Sequence, residues 1–158
     1  MKLARTPSQT VGPYYAIGLC RRAENELGPG DVILSGRLLD GDDVPVVDGL
    51  VELWDAFGLH FARSGTHPEG AFSFVVAKPD APDGEAPFLY VHVFARGLLK
   101  HQLTRLYFPD EAAANAADPV LAAVEEDRRT LLVAEQDDDR LRFDIRMQGD
   151  RETVFFTA

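Results

Sequence analysis

Two segments of the chain combine residue types that could do chemistry. Thr6-Pro-Ser-Gln-Thr-Val-Gly-Pro-Tyr-Tyr15 sets two prolines and a glycine among hydroxyls and phenol rings. Such a run has a specified shape without the period of a helix or a strand. It is either a binding element or a surface arm packed down by Tyr14 and Tyr15. In Phe94-Ala-Arg-Gly97 an arginine leaves an apolar strand just before a glycine that lets the backbone turn. The guanidinium of Arg96 must find an anion there, from the protein or from a ligand.

Other candidates are weaker. Cys20 could be a nucleophile, and Arg21-Arg22 after it would lower its pKa. A small, partly buried structural thiol is the simpler reading. The four histidines, His60, His67, His92 and His101, have no spacing that builds a metal site locally, although the fold could bring them together. His92, between Val91 and Val93, reads as a core or interface residue. Asp40-Gly-Asp-Asp43 lacks the glutamate that closes a calcium loop. There is no dinucleotide fingerprint, no phosphate loop, no zinc-protease motif and no nucleophile elbow.

These residues must be positioned by short strands. Val32–Leu39, Val44–Val47, Leu50–Trp54, Ala71–Val76, Leu103–Phe108, Leu141–Gln148 and Thr153–Phe156 read as strands between turn signals such as Asp40–Asp43, Asp48-Gly49 and Asp137–Asp139. Phe88–Phe94 is almost wholly apolar, which predicts a central strand covered on both faces. Helix signals are confined to Asp110–Ala117 and to a segment from Asp118-Pro119 to about Asp127, opened by a cap and a proline. The pattern predicts an all-β fold, a β-sandwich over residues 31–158, preceded by an irregular arm over residues 1–30.

Composition bounds the rest. At 158 residues the chain is one domain, able to bury roughly two thirds of its unfolded surface. A net charge of −10 argues against nucleic acid or an anionic membrane as the main partner. One cysteine excludes an intrachain disulfide framework. No apolar run approaches the roughly 20 residues that span a bilayer, and the N-terminus has no apolar leader. The expectation is a soluble, cytoplasmic protein.

Read together, the motifs resemble the intradiol ring-cleaving dioxygenases. The likeness runs in order through Thr6–Tyr14, Val51-Glu-Leu-Trp-Asp55, Phe94-Ala-Arg-Gly97, Thr104-Arg-Leu-Tyr-Phe108 with Asp110-Glu-Ala112, Arg142-Phe-Asp-Ile-Arg146 with Gln148-Gly149, and Glu152–Phe156. Within the family it is strongest to the non-metal (α) chains of heteromeric members that act on protocatechuate. The family fold is a β-sandwich, in agreement with the strands.

The resemblance implies a set of roles. Family members hold Fe(III) through two Tyr phenolates and two His, the latter as His-x-His on one strand. The equivalent positions here carry Phe88 and Tyr90, which implies that this chain binds no metal. The Fe(III) is then held by an iron-bearing β subunit, the implied partner, with protocatechuate and O2 as substrates. The residues implied to approach the partner's substrate are Thr10, Gly12, Pro13, Tyr14 and Arg96. Gly12-Pro13 offers close backbone approach, Tyr14 an amphipathic ring, and Arg96 a cation facing an anionic aromatic acid. The stretches 19–31 and 54–70 are shorter than in typical α chains, and Lys100-His-Gln-Leu103 departs from the family's His-rich form. An inactive β-sandwich descended from the family is the alternative.

Overall fold

The structure is a computed structural model that describes residues 4–20 and 24–157. Among the described residues ten strands follow in order: β1 (Glu26–Leu27), β2 (Val32–Leu39), β3 (Leu50–Asp55), β4 (Phe61–Gly65), β5 (Ala71–Val76), β6 (Phe88–Phe94), β7 (Gln102–Tyr107), β8 (Glu135–Asp137), β9 (Arg140–Arg142) and β10 (Ile145–Arg146). One sheet runs β1-β5-β2-β9-β8, with β10 also paired to β2, and the other runs β4-β3-β6-β7. The alternation of β2 and β5 turns Leu34, Leu38, Phe72 and Phe74 toward Val51 and Leu53 of β3 and Leu89, Val91 and Val93 of β6. All of these are buried, and each stabilises the sandwich by roughly 1.5–3 kcal/mol.

β6 lies between β3 and β7, as its apolar run requires. Its other face carries Phe88, Tyr90, His92 and Phe94. At the Phe88 end that face is covered by a second cluster with Tyr107, Leu121 and Leu132. Toward Phe94 the cover thins and the side chains become half-buried.

Several expectations need correction. The arm is not irregular throughout. α1 (Tyr14–Leu19) starts directly after Pro13, whose φ of −63° and ψ of −25° are already helical. β1 also falls inside the arm and pairs in parallel with β5 through Glu26 and Val75. Val44–Val47 forms no strand beyond one bridge between Leu39 and Pro45, because Asp43 takes a positive φ and Pro45 has no N–H to donate. β4 carries too weak an alternation to be read in advance. The Leu141–Gln148 run is divided into β9 and β10 by a break at Phe143-Asp144. There the Asp144 carboxylate accepts the Arg37 N–H at 3.0 Å, and a Cβ on Gly36 would sit 1.9 Å from the Phe143 carbonyl oxygen. Only glycine allows that approach. Thr153–Phe156 contributes a single bridge, to Leu103.

The helical stretch also differs in its bounds. α2 spans Ala112–Ala117 and α3 Pro119–Ala123, followed by a 3-10 helix over Glu126–Leu132. Asp118 caps α3 as its residue type predicts, accepting the N–H groups of Val120 and Leu121. Among the described residues no helix is long and apolar enough to cross a membrane.

Candidate functional site

The two segments singled out by residue type meet in the fold. The Thr10 hydroxyl oxygen accepts the Gly97 N–H at 2.8 Å, tying the arm to the turn after β6. Gly97 has a φ of +89°, which only glycine adopts without strain. Tyr15 rests its ring on Phe94 with centroids 5.6 Å apart. Along one edge of the arm, Thr10, Gly12, Pro13 and Tyr14 are exposed, Tyr14 by 78%. Along the other, Gln9, Val11 and Tyr15 line a cleft of about 590 Å³ with Phe94, Lys100 and His101.

Arg96 finds its anion within the chain. Its Nε forms an ion pair with the carboxylate of Asp48, and the arginine side chain is still 63% exposed. Asp48 is largely covered and shares a groove of about 470 Å³ with Pro13, Ala16, Ile17 and Cys20. Thr10, Gly12, Pro13, Tyr14 and Arg96 thus lie on one exposed platform. Thr10, Gly12, Tyr14 and Arg96 line neither cleft, so the platform encloses nothing by itself.

The positions implied for the two His ligands are occupied by a closed network. Phe88 and Tyr90 meet edge to face at 4.9 Å. Arg105 of β7 lays its guanidinium over Phe88, 3.8 Å from the ring centroid, and 5.3 Å from that of Tyr90. The same guanidinium pairs with Glu85 and donates to the Tyr107 hydroxyl at 3.2 Å. Tyr107 in turn donates to Asp118 at 3.2 Å, and Asp118 also accepts the buried Ala86 N–H at 2.9 Å. Burial pushes the Tyr107 phenol up to about 12, so it stays protonated. These residues do not fit a ferric ion. A fixed cation already stands over the ring and donates to the Tyr90 hydroxyl at 3.4 Å, and the Tyr107 phenol is held neutral. Among the described residues no three His, Cys, Asp or Glu side chains come together as a metal site.

Cys20 is partly buried, as the simpler reading of it expects. Arg21 and Arg22 lie outside the described residues, and the thiol pKa is raised, first by burial, with Arg63 opposing. A thiol held protonated by burial is a poor nucleophile. His92 stacks on His101 at 4.9 Å, and burial, then His101, pushes its pKa down.

Sequence reasoning missed other polar centres. Asp55 accepts the N–H groups of Phe57, Leu59 and His60 and lies 2.6 Å from His60 Nδ1. The Asp55-Ala-Phe-Gly58 turn signature could have shown the loop, with Gly58 at positive φ. Asp48 as the partner of Arg96, and the Arg105 network, have no local signal.

No protein-family model matches the chain. The "Protocatechuate 3,4-dioxygenase alpha chain" of Burkholderia cepacia is 42% identical over 193 aligned positions, covering 98% of each chain. The protein of the same name from Pseudomonas putida is 37% identical, covering 98% of this chain and 96% of its own. The alignments are longer than the 158 residues present, so these relatives carry extra internal residues. Among solved structures, the dioxygenase domain of a dioxygenase–carbohydrate-binding fusion from Streptomyces sp. SirexAA-E superposes with a TM-score of 0.57 at 16% identity, over 91% of this chain and 99% of that one. An intradiol ring-cleavage dioxygenase from Tetranychus urticae gives 0.56 at 14% identity, over 91% and 93%. At such identities the likeness concerns the fold, which is the intradiol dioxygenase β-sandwich.

Proposed function

Because the chain belongs to the protocatechuate 3,4-dioxygenase alpha-chain family, we propose that it is the non-metal subunit of a heteromeric intradiol dioxygenase, completing a ferric site held by an iron-bearing β partner. The reaction is the cleavage of protocatechuate between its two hydroxyl-bearing carbons. Both atoms of O2 enter, and the product is 3-carboxy-cis,cis-muconate. The observation that supports this reading is the Arg105 network, which fills the positions that the resemblance assigns to the two His ligands.

The chemistry at the ring is supplied by Fe(III) on the partner when bound. This chain supplies position and shelter. Thr10 fixes the arm against Gly97, which leaves Gly12, Pro13 and Tyr14 free to form a wall against a substrate lodged in the partner. Arg96 stands beside them, held by Asp48 with its guanidinium more than half exposed. In a chain of net charge −10 it provides a local cation for an anionic aromatic acid. A single thiol is compatible with a reducing compartment such as the cytoplasm.

The test is to express this chain alone and with a β-type partner. Iron, the colour of tyrosinate-to-Fe(III) charge transfer, and ring cleavage are expected only in the co-purified complex. Iron and colour in the chain alone would overturn the assignment of the metal to the partner. A chain that folds but never associates would favour an inactive descendant.

A further inference from the structure

We propose that the cleft beneath the arm is a second, metal-independent binding site for a one-ring aromatic carboxylate. The residues of the proposed substrate platform do not line it. Gln9, Val11 and Tyr15 line the cleft, whereas Thr10, Gly12 and Tyr14 do not and are exposed.

Three observations define the occupant. The first is a continuous run of rings along one wall. Tyr15 meets Phe94 at 5.6 Å, Phe94 meets His101 at 5.3 Å, and His101 stacks on His92 at 4.9 Å. Val11, Leu98 and Phe156 complete an apolar surround. A flat ring extends such a stack, and rings in offset or tilted contact attract beyond their buried area.

The second is charge. Among the described residues no Asp or Glu lines the cleft, although the chain has 26 of them. Lys100 lines it and has no ion-pair partner among the described residues. The carboxylate facing His92 is Glu52, opposite it in the sheet, and that group is bound by Arg63 at 2.8 Å. An anion entering the cleft therefore meets Lys100 and His101 with no Asp or Glu side chain of the described residues lining the site against it.

The third is size and polarity. About 590 Å³ lies within the usual range for small-molecule sites. Gln9, Gln102 and Thr157 add neutral hydrogen-bonding groups at the lining. A one-ring acid fits with water to spare, and its ring and carboxylate would find the stack and Lys100 together. Such an occupant touches the arm and the 98–102 turn at once, adding to the single Thr10–Gly97 hydrogen bond.

The experiment uses the full chain by itself, so its outcome does not depend on iron or on a partner. Benzoate is titrated by calorimetry and by saturation-transfer NMR, beside neutral benzamide and ring-less cis,cis-muconate. Saturable benzoate binding at about 1 mM or tighter is expected, with both other probes about tenfold weaker or more. Lys100→Glu, and separately Val11→Trp to fill the cleft from the arm, should each weaken benzoate by about tenfold or more, with unchanged circular dichroism. Absence of saturation, benzamide equal to benzoate, muconate equal to benzoate, or full binding by both folded variants would each overturn the proposal.

Discussion

Replacing Arg105 with methionine tests whether a fixed cation takes over the organising role at the outer face of β6. The guanidinium is 13% exposed and its partner Glu85 26% exposed, so screening by water is limited but not absent. Its stacking on Phe88 at 3.8 Å contributes about 1–2 kcal/mol in such a setting. Without it, the Glu85 carboxylate loses its charge partner, and because water still reaches it the cost is about 1–2 kcal/mol. Methionine keeps an unbranched apolar stem against the rings, so little packing is lost. The sum is about 2–4 kcal/mol. Against a total stability of about 5–15 kcal/mol the chain remains folded, and its midpoint falls by roughly 4–16 °C. Urea unfolding followed by far-UV circular dichroism measures the loss. Adding Glu85→Gln to Arg105→Met should recover part of it, with a coupling of about 1 kcal/mol or more. Arg105→Lys should not restore wild-type stability, because an ammonium lacks the planar fork that reaches Glu85 and Tyr107 together. A loss below 1 kcal/mol for the methionine variant, or full rescue by lysine, would refute the reasoning.

Asp118→Ala removes the cap of α3 and strands the buried Ala86 N–H, and should cost about 2–5 kcal/mol in the same unfolding assay. Between the ordinary phenol value of 10.0 and about 12, Tyr107 in the folded chain keeps a proton that the unfolded chain has already lost. Its contribution is therefore complete below pH 10 and is lost as pH rises toward 12. Phenolate absorbance during alkaline titration should show a component with that late midpoint, and Tyr107→Phe should delete it. In the co-expressed complex, Arg96→Ala should raise KM for protocatechuate by about tenfold, from one lost charge-assisted contact, with iron content unchanged. Equal KM values would remove Arg96 from substrate capture.

β2, β5 and β6 could be read to the residue because each is a long run of apolar or alternating side chains whose burial leaves one register. β4 could not. Phe61-Ala-Arg-Ser-Gly65 has one strong strand former, and its conformation is specified by pairing with β3, Leu50 against Gly65 through Trp54 against Phe61. α1 was hidden because Tyr-Tyr-Ala-Ile-Gly-Leu mixes helix formers with residues that favour other structure. Pro13 starts it by fixing one φ. At the site, the residue types were legible and their partners were not. Arg96 announces a need for an anion, yet nothing local distinguishes Asp48 from 25 other acids. The cation over Phe88 comes from a neighbouring strand, through register that no single segment contains. The 590 Å³ cleft has walls from the arm, β6, β7 and the C-terminal bridge, and depends on their assembly.

The pairing of β2 sets the order in which the chain can become safe. Its Leu34 and Ser35 pair in parallel with Leu141 and Arg142, and its Leu38 and Leu39 with Ile145 and Arg146. On the ribosome, β2 appears early and finds β5 soon after, but its opposite edge waits for nearly the whole remaining chain. During that interval a row of unpaired N–H and C=O groups is open to any other strand. Such late, distant closure is intrinsically slow. A chain cut before residue 140 keeps that edge for good, and is the form expected to aggregate or be degraded. Only a finished polypeptide can offer a partner a settled surface.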